Sequence, residues 1–207
     1  MFARRSAAAA VAACFTATVG AQPAGLTVRH GSAVVEQQAG RTTIRTGNAR
    51  ARGTRPSTGA ASSARGQTVF FSQPDARSTS INRVTGGDPS AILGTLGSNG
   101  RLVLVNPAGI AVAPGAVVDT AGFTASTLGM SRGDAVAGRM RFGDGSDAGA
   151  LQVNGHVLAR GGDVVLLGPQ VEAGRHAVVR AVDGDVVLAA GRRWRSPGAA
   201  SKASTCR

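Results

Sequence analysis

Short runs of β-forming apolar residues, separated by turn-forming residues, recur along most of this chain. The clearest case is the run LVLV at residues 102–105, which ends at NPAG (106–109) and resumes as IAV at 110–112. Proline fixes φ at a value that a turn requires, asparagine accepts local backbone hydrogen bonds, and glycine frees the chain to leave the corner. A second corner, APG, follows at 113–115. Strands this short, joined by corners, predict a chain that coils around an axis.

An internal repeat gives the period of this coil. The sequence GGDVVLLG at 161–168 recurs as VDGDVVLA at 182–189, so that Asp163 and Asp185 are 22 residues apart. A period in the low twenties is typical of one rung of a parallel β-helix. Rungs stack about 4.8 Å apart, and the body of the chain is long enough for about six of them. The terminal rungs need caps because they expose strand edges.

Composition and charge narrow the class of protein. Aromatic residues make up only 3% of the chain and Tyr is absent, so the core must be built from aliphatic side chains. The net charge of +12 is carried by the ends, because residues 67–191 hold nine Arg and ten acidic residues, a balance of −1. A nucleic-acid site needs basic residues gathered on a structured surface, usually with aromatic residues for stacking. We therefore expect no nucleic-acid partner.

A set of short sequence motifs in the middle of the chain resembles those of a known family. These motifs consist of Asn82, Arg83, Val84, Gly86, Asp88, Pro89, Ser90, Asn99, Gly100, Asn106, Pro107, Ala108 and Gly109, followed by residues 122–127 (GFTAST). In order and spacing they resemble the amino-terminal secretion domain of two-partner secretion (TPS) exoproteins. This is the filamentous haemagglutinin type, also called the haemagglutination activity domain. The family usually has asparagine where this chain has Ala108. Alanine fits the turn and loses one side-chain hydrogen bond, worth about 0.5–1.5 kcal/mol, so we expect the corner to form.

The resemblance implies a fold, a function and a partner. The implied fold is an all-β, right-handed parallel β-helix with short capping strands. The implied function is that of the secretion domain of an adhesin or haemolysin, which nucleates folding of the β-helix at the surface of a Gram-negative bacterium. The implied partner is an outer-membrane β-barrel transporter with periplasmic recognition domains, and host-cell glycans or receptors are further candidates. The resemblance also links the turn at Asn106, Pro107, Ala108 and Gly109 to secretion.

The amino terminus has the features of an export signal. Residues 1–5 are basic, residues 6–19 are apolar, and small residues precede a cleavage site between Ala21 and Gln22. An alternative is a lipoprotein signal with Cys14 as the lipidated residue. We therefore expect a signal peptide at 1–21, a β-helix domain at 22–191 and a basic tail at 192–207 outside the fold. If cleavage follows Ala21, one cysteine remains, and stability must come from stacked strands rather than a disulfide.

One interval inside the predicted domain does not fit the pattern. Residues 46–66 contain four Arg, no acidic residue, and no Val, Ile, Leu or Phe. They can be a disordered basic loop. They can also be the product of a shifted reading frame, as can the tail at 192–207, and the coil would then lack one inner strand. Both interpretations remain open from the sequence.

Other parts of the chain predict local features. Ser90 or Asp88 is suited to cap a helical turn through residues 91–93. The glycine-rich sequence after residue 127 predicts an excursion from the coil, such as a hairpin.

Catalytic chemistry has weak support in the sequence. The three histidines, His30, His156 and His176, form no metal-binding spacing, and nucleophile and phosphate-binding motifs are absent. We expect no enzymatic activity, no cofactor and no metal. The alternative function is a free-standing β-helix that binds or cleaves carbohydrate, with Asp163, Asp185 and Arg180 on adjacent rungs.

Overall fold

The structure, a computed structural model, describes residues 27–28, 32–47, 55–58, 62–143 and 147–195. It consists mainly of short strands, with one short helix, α1 (Arg132–Val136). The strands are β1 (Thr27–Val28), β2 (Ser32–Gln38), β3 (Arg41–Gly47), β4 (Arg55–Thr58), β5 (Thr68–Ser72), β6 (Thr79–Arg83), β7 (Ser90–Ile92), β8 (Thr95–Ser98), β9 (Arg101–Val105), β10 (Ile110–Val112), β11 (Val117–Thr120), β12 (Gly122–Ser126), β13 (Arg141–Phe142), β14 (Leu151–Val153), β15 (His156–Ala159), β16 (Val164–Gly168), β17 (Val171–Ala173), β18 (Val178–Ala181), β19 (Val186–Ala190) and β20 (Trp194–Arg195).

Three sheets wrap around one axis. Sheet 1 has the order β1-β4-β6-β9-β12-β16-β19, sheet 2 the order β2-β3-β5-β8-β11-β15-β18, and sheet 3 the order β7-β10-β14-β17. From β7 onward each rung contributes one strand to each sheet, and each strand pairs in parallel with its counterpart on the next rung. Val164 pairs with Val186, so the 22-residue repeat is one rung. The predicted parallel β-helix is confirmed.

Inward side chains form layered rows inside the coil. Leu102, Phe123 and Val164 occupy one row on successive rungs of sheet 1, and each is at most 1% exposed. Rows of this kind bury mainly aliphatic surface, as the composition predicts, and Phe123 is the one aromatic ring among these three residues. Each added rung therefore extends the same core.

The outer face of sheet 1 is also covered. After β12 the chain leaves the coil, forms α1 and returns through β13, which pairs antiparallel with β20. The buried residues of this second cluster are Ile81, Val103, Val105, Leu128, Met130, Ala135, Phe142, Val165 and Leu167. All five positions of β16 are buried, because one face packs inside the coil and the other packs against this second cluster. The predicted excursion is present, but it contains a helix rather than a hairpin, because Ser131 Oγ caps α1 by accepting a hydrogen bond from Asp134 N at 3.0 Å.

Two local predictions are wrong. Residues 91–93 form no helical turn, because Ser90–Ile92 is strand β7 and pairs in parallel with β10. The interval 46–66 is not an unstructured loop throughout, because Arg55–Thr58 is strand β4 and pairs in parallel with β6. Ser63 is 1% exposed and bridges to Ile92. An inner strand is therefore present in this interval, whereas residues 48–54 and 59–61 lie outside the described residues.

The structure describes only one of the two predicted domain boundaries. The signal peptide at 1–21, with its cleavage site at Ala21 and Gln22, lies outside the described residues and stays a prediction. At the other end the fold continues past residue 191, because Trp194–Arg195 is strand β20 and the Trp194 ring lies 5.9 Å from that of Phe142. The beginning of the tail thus belongs to the fold, and residues 196–207 are not described. Within the described ranges, no helix is both long and apolar enough to cross a membrane.

The two ends of the coil differ. At the amino-terminal end β2 and β3 form an antiparallel pair that turns at Gly40, whose φ is +75°. At the other end the last rung exposes Val186 by 41% and Leu188 by 48%. The residues directly beneath them, Val164 and Leu166, are at most 1% exposed. The last rung therefore presents inward-type side chains that no further described rung covers.

An ion pair joins successive rungs on the outside of sheet 2. Arg160 Nε and Nη2 donate to the two carboxylate oxygens of Asp119, both at 2.6 Å. These hydrogen bonds hold the pKa of Asp119 below its ordinary value of 3.8. A carboxylate with a lowered folded-state pKa stabilises the fold above its unfolded-state pKa, and this contribution is lost as the pH falls through the folded-state value.

Replacing Asp119 by asparagine should therefore make the stability of the domain less sensitive to acid. Between about pH 5 and pH 2 the free energy of unfolding should fall less steeply in Asp119→Asn than in the parent chain. Urea unfolding at a series of pH values measures this slope. Asp183→Asn, which removes an exposed carboxylate that forms none of the ion pairs among the described residues, is the control for the loss of one surface charge. Equal slopes in the parent and Asp119→Asn would contradict the assignment.

Candidate secretion-motif site

The predicted corner at residues 106–109 is present between β9 and β10. Gly109 N donates to Asn106 O at 3.1 Å, and Ala108 N donates to Asn106 Oδ1 at 3.0 Å. Gly109 has a φ of +128°, a conformation that favours glycine. Pro107 is exposed and Ala108 is partly exposed. The corner thus forms with Ala108 in place of the family's asparagine, as expected, because the closing hydrogen bonds come from Asn106 and the backbone.

Asn106 connects this corner to the two neighbouring rungs. Its side chain is fully buried, and Nδ2 donates to Asp88 O at 3.0 Å and to Ser90 Oγ at 2.9 Å. Both acceptors lie at the equivalent corner of the preceding rung, where Ser90 begins β7. Asn106 N donates at 2.9 Å to Ser126 O, the last residue of β12 on the next rung. Asn106 therefore connects equivalent positions on three successive rungs of the coil.

The backbone around the corner is packed just as closely. Ser90 N donates to Gly109 O at 3.0 Å, and Gly149 N donates to Pro107 O at 2.8 Å. A Cβ added at Gly109 would lie 3.5 Å from both Pro89 Cβ and Ala150 O. Corners of three successive rungs are thus stacked in contact, and the family residues Asp88, Pro89 and Ser90 form the layer beneath residues 106–109.

A second polar cluster surrounds Asn99 and Gly100 at another corner. Asn99 Oδ1 accepts from Gln73 N, and Asn99 Nδ2 donates to Gln73 O, both at 2.7 Å. Gln73 Nε2 donates to Ser98 Oγ at 2.8 Å and to Arg101 O at 2.9 Å. A Cβ at Gly100 would lie 2.6 Å from Gln73 Cδ, so only glycine leaves room for this amide. Asn99 therefore binds Gln73 directly, and Gly100 leaves the space that the Gln73 side chain occupies.

Sequence reasoning missed Gln73 and Ser98. Gln73 reads as an ordinary turn residue, and its partner Asn99 lies 26 residues further along the chain. That separation is close to one rung, which is the only signal that could have related the two.

The remaining family residues lie along β6 and the corner that follows it. Asn82 is buried and donates from Nδ2 to Ser80 Oγ at 3.4 Å, and Val84 N donates to Val105 O at 2.8 Å. Burial lowers the pKa of the partly buried Arg83 guanidinium. Gly86 has open space where a side chain would extend. Val84 thus marks a contact between rungs, whereas the Asn82 bond to Ser80 stays within β6 and Gly86 meets open space.

Comparison with known proteins agrees with this geometry. A family model described as the TPS secretion domain matches residues 62–203. The chain belongs to the TPS secretion domain family. The TPS domain is similar to the structure of the HMW1 secretion domain from Haemophilus influenzae, with a TM-score of 0.75 and 29% identity. That match covers 82% of this chain and 45% of the HMW1 chain.

Two curated relatives are similar over a shorter stretch. Both are heme/hemopexin-binding proteins of Haemophilus influenzae, 47% and 41% identical to the TPS domain over 64 residues. Each match covers 31% of this chain and 7% of the relative. The TPS domain thus corresponds to a small part of these much longer proteins.

The residues weighed for catalysis, Asp163, Asp185 and Arg180, are not all brought together. Within the described part of the TPS domain, no group of three or more His, Cys, Asp or Glu could hold a metal ion. Asp163 Oδ1 accepts a hydrogen bond from Asp185 N at 3.0 Å, so this aspartate supports the corner of the next rung. Arg180 lies in β18 of sheet 2, whereas the two aspartates precede strands of sheet 1. The link between Asn106, Pro107, Ala108 and Gly109 and secretion stays a prediction.

Proposed function

We propose that this TPS domain is the non-catalytic secretion domain of a longer exoprotein and is recognised by an outer-membrane β-barrel transporter. The observation that carries the proposal is the bonding of Asn106 to the rungs before and after it. In such a stack each rung supplies the hydrogen-bonding edge and the buried rows that the next rung needs. The coil can then form progressively as the chain emerges from a pore.

Recognition by the transporter takes place before the coil forms. The chain in transit is a series of short β-forming segments with a nearly neutral body, and such segments can add to an exposed sheet edge of a partner. Main-chain hydrogen bonds supply affinity in this mode, and alternate side chains supply specificity. We therefore assign recognition to the transporter's periplasmic domains and folding to the outer surface of a Gram-negative cell.

The mature exoprotein would act as an adhesin or haemolysin at that surface. Host-cell glycans or receptors are its proposed targets, and they would bind largely through parts of the protein beyond this domain. The domain itself requires no cofactor and catalyses no reaction in this proposal.

Co-expression with a transporter of the same family tests the proposal. The 207-residue chain is produced in a Gram-negative host with the transporter, without it, and with a transporter that lacks its periplasmic domains. We expect the chain in the culture medium only with the intact transporter. The measurement is the fraction of the chain found outside the cells, with a periplasmic marker as the control for lysis. Equal amounts outside the cells in all three strains would overturn the proposal.

A further inference from the structure

A cleft of about 170 Å³ opens on the outer face of sheet 1, where the covering excursion ends. Its floor is formed by the first outward positions of successive strands, and its wall by the excursion and β20. Its lining includes Thr79, Arg101, Gly122, Thr124, Asp163, Met140, Phe142 and Trp194. The corner at residues 106–109 is not part of it.

The floor carries two charged side chains, Arg101 and Asp163, and between their rungs lies Gly122, which has no side chain. Thr79, Arg101 and Gly122 are paired in register on three successive rungs, and Asp163 precedes the strand that pairs with the next position. A Cβ at Gly122 would lie only 3.2 Å from Arg101 Cγ. Glycine therefore allows the arginine stem to lie across the rung.

The Arg101 side chain lies beside the Gly162–Asp163 segment, two rungs further along the coil, without forming an ion pair with it. Arg101 Nε lies 3.7 Å from the position of a Cβ at Gly162, the neighbour of Asp163. Among the described residues Arg101 forms no ion pair, and Asp163 uses Oδ1 for the corner hydrogen bond to Asp185 N. The floor thus offers several N–H donors beside one free carboxylate oxygen.

The wall of the cleft is apolar and aromatic. Phe142 is 3% exposed, whereas Met140 and Trp194 are partly exposed. The rings of Phe142 and Trp194 meet at 5.9 Å with an interplanar angle of 51°. Phe142 therefore holds the Trp194 ring in place at the edge of the cleft, where it can pack against a ligand. Thr124 adds a hydroxyl to the outward row between Val103 and Val165.

We propose that this cleft binds a single sugar residue of a glycan. A pyranose ring has an apolar C–H face that packs on an aromatic ring and an edge of hydroxyls that both donate and accept hydrogen bonds. The cleft supplies both surfaces side by side: Trp194 and Met140 for the face, and Arg101, Asp163 and Thr124 for the edge. Pockets for drug-sized ligands measure about 300–1,000 Å³, so this cleft is suited to one ring.

Fluorescence of Trp194 tests the proposal directly, because the chain has one Trp and no Tyr. The 207-residue chain is titrated with glucose, galactose, N-acetylglucosamine and glucuronate. Glycerol at equal osmolality and sodium chloride at equal ionic strength are the blanks. We expect a saturable change in Trp194 emission with at least one sugar and not with the blanks. If no sugar exceeds its blank, the proposal is overturned, and a response to sodium chloride equal to that of glucuronate identifies an adventitious ion only.

Two variants locate the binding. Arg101→Gln should weaken the apparent affinity about tenfold, because it removes a charged hydrogen-bond donor. Thr124→Val has nearly the same shape and should weaken the affinity severalfold without loss of fold. Arg180→Gln, an exposed arginine on sheet 2, is the matched control and should bind like the parent. Circular dichroism checks that each variant is folded. If both Thr124→Val and Arg101→Gln are folded and bind the sugar with the affinity of the parent chain, binding lies elsewhere and the assignment is refuted.

Discussion

Replacing Asn106 by alanine should lower the free energy of unfolding by about 2–4 kcal/mol and remove most transporter-dependent export. The change deletes the hydrogen bonds to Asp88 O and Ser90 Oγ and the one from Ala108 N. Each buried polar group left without a partner costs about 1–3 kcal/mol, and the three losses are not additive. Under the proposed function the corner then forms slowly, and folding outside the cell no longer proceeds from rung to rung. Urea unfolding and the fraction of chain in the medium measure the two effects.

Two further variants make the result specific to this corner. Asn154→Ala removes an exposed asparagine from another corner of the coil and should change neither stability nor export. Asn106→Asp keeps the acceptor for Ala108 N but places a carboxylate next to Asp88 O, so it should destabilise at least as much as alanine at neutral pH. If Asn106→Ala unfolds and is exported like the parent chain, the corner has neither role. If stability alone falls, the corner is structural and its link to secretion is lost.

Replacing Gly94 by alanine should also destabilise the domain by about 2–4 kcal/mol. A Cβ at this position would overlap the backbone oxygens of Ala64 and Gln67. The same segment is held by Leu93 N, which donates to Ser63 O at 2.7 Å, and by Thr95 N, which donates to Gln67 O at 2.9 Å. Overpacking against backbone costs about 1–3 kcal/mol, and displacing the segment adds the loss of these hydrogen bonds. Thermal and urea unfolding measure the change.

Gly86→Ala is the matched control for this prediction. Gly86 belongs to the motifs that mark the family, yet a Cβ there meets no atom within 4 Å. We therefore expect stability within about 0.5 kcal/mol of the parent chain. Parent-like stability in Gly94→Ala would mean that residues 62–67 do not lie against the beginning of β8.

The strands and corners in the middle of the chain could be predicted because their signals are local. The run at residues 102–105 and the corner at 106–109 carry β-propensity and turn chemistry in adjacent residues, and the rung period is visible as a sequence repeat. Ser90 illustrates the opposite case. Its capping propensity favours a helical turn, but pairing with β10 and the hydrogen bond from Asn106 Nδ2 hold it in a strand. Tertiary contacts overrode a weak local preference.

The parts that could not be predicted depend on contacts between distant residues. Arg55–Thr58 has no apolar pattern and becomes a strand because its backbone pairs with β6 and β1. Gln73 acquires its role from Asn99 on another rung. The sequence pattern predicts only that the chain leaves the coil after residue 127, since glycine-rich segments carry little information about the structure they adopt. The family resemblance supplied the function, which neither periodicity nor composition contains.

The direction of the hydrogen bonds in this coil determines how it would respond to tension. The bonds between rungs run along the axis, and the strands run across it. A force that pulls the two ends apart along the axis therefore loads the bonds of one rung at a time, as in a zipper, instead of shearing many rows together. Each 22-residue rung that opens would release about 70–80 Å of extended chain. A coil of this kind yields in steps, and it can dissipate a pull on its end while most of its rungs stay closed.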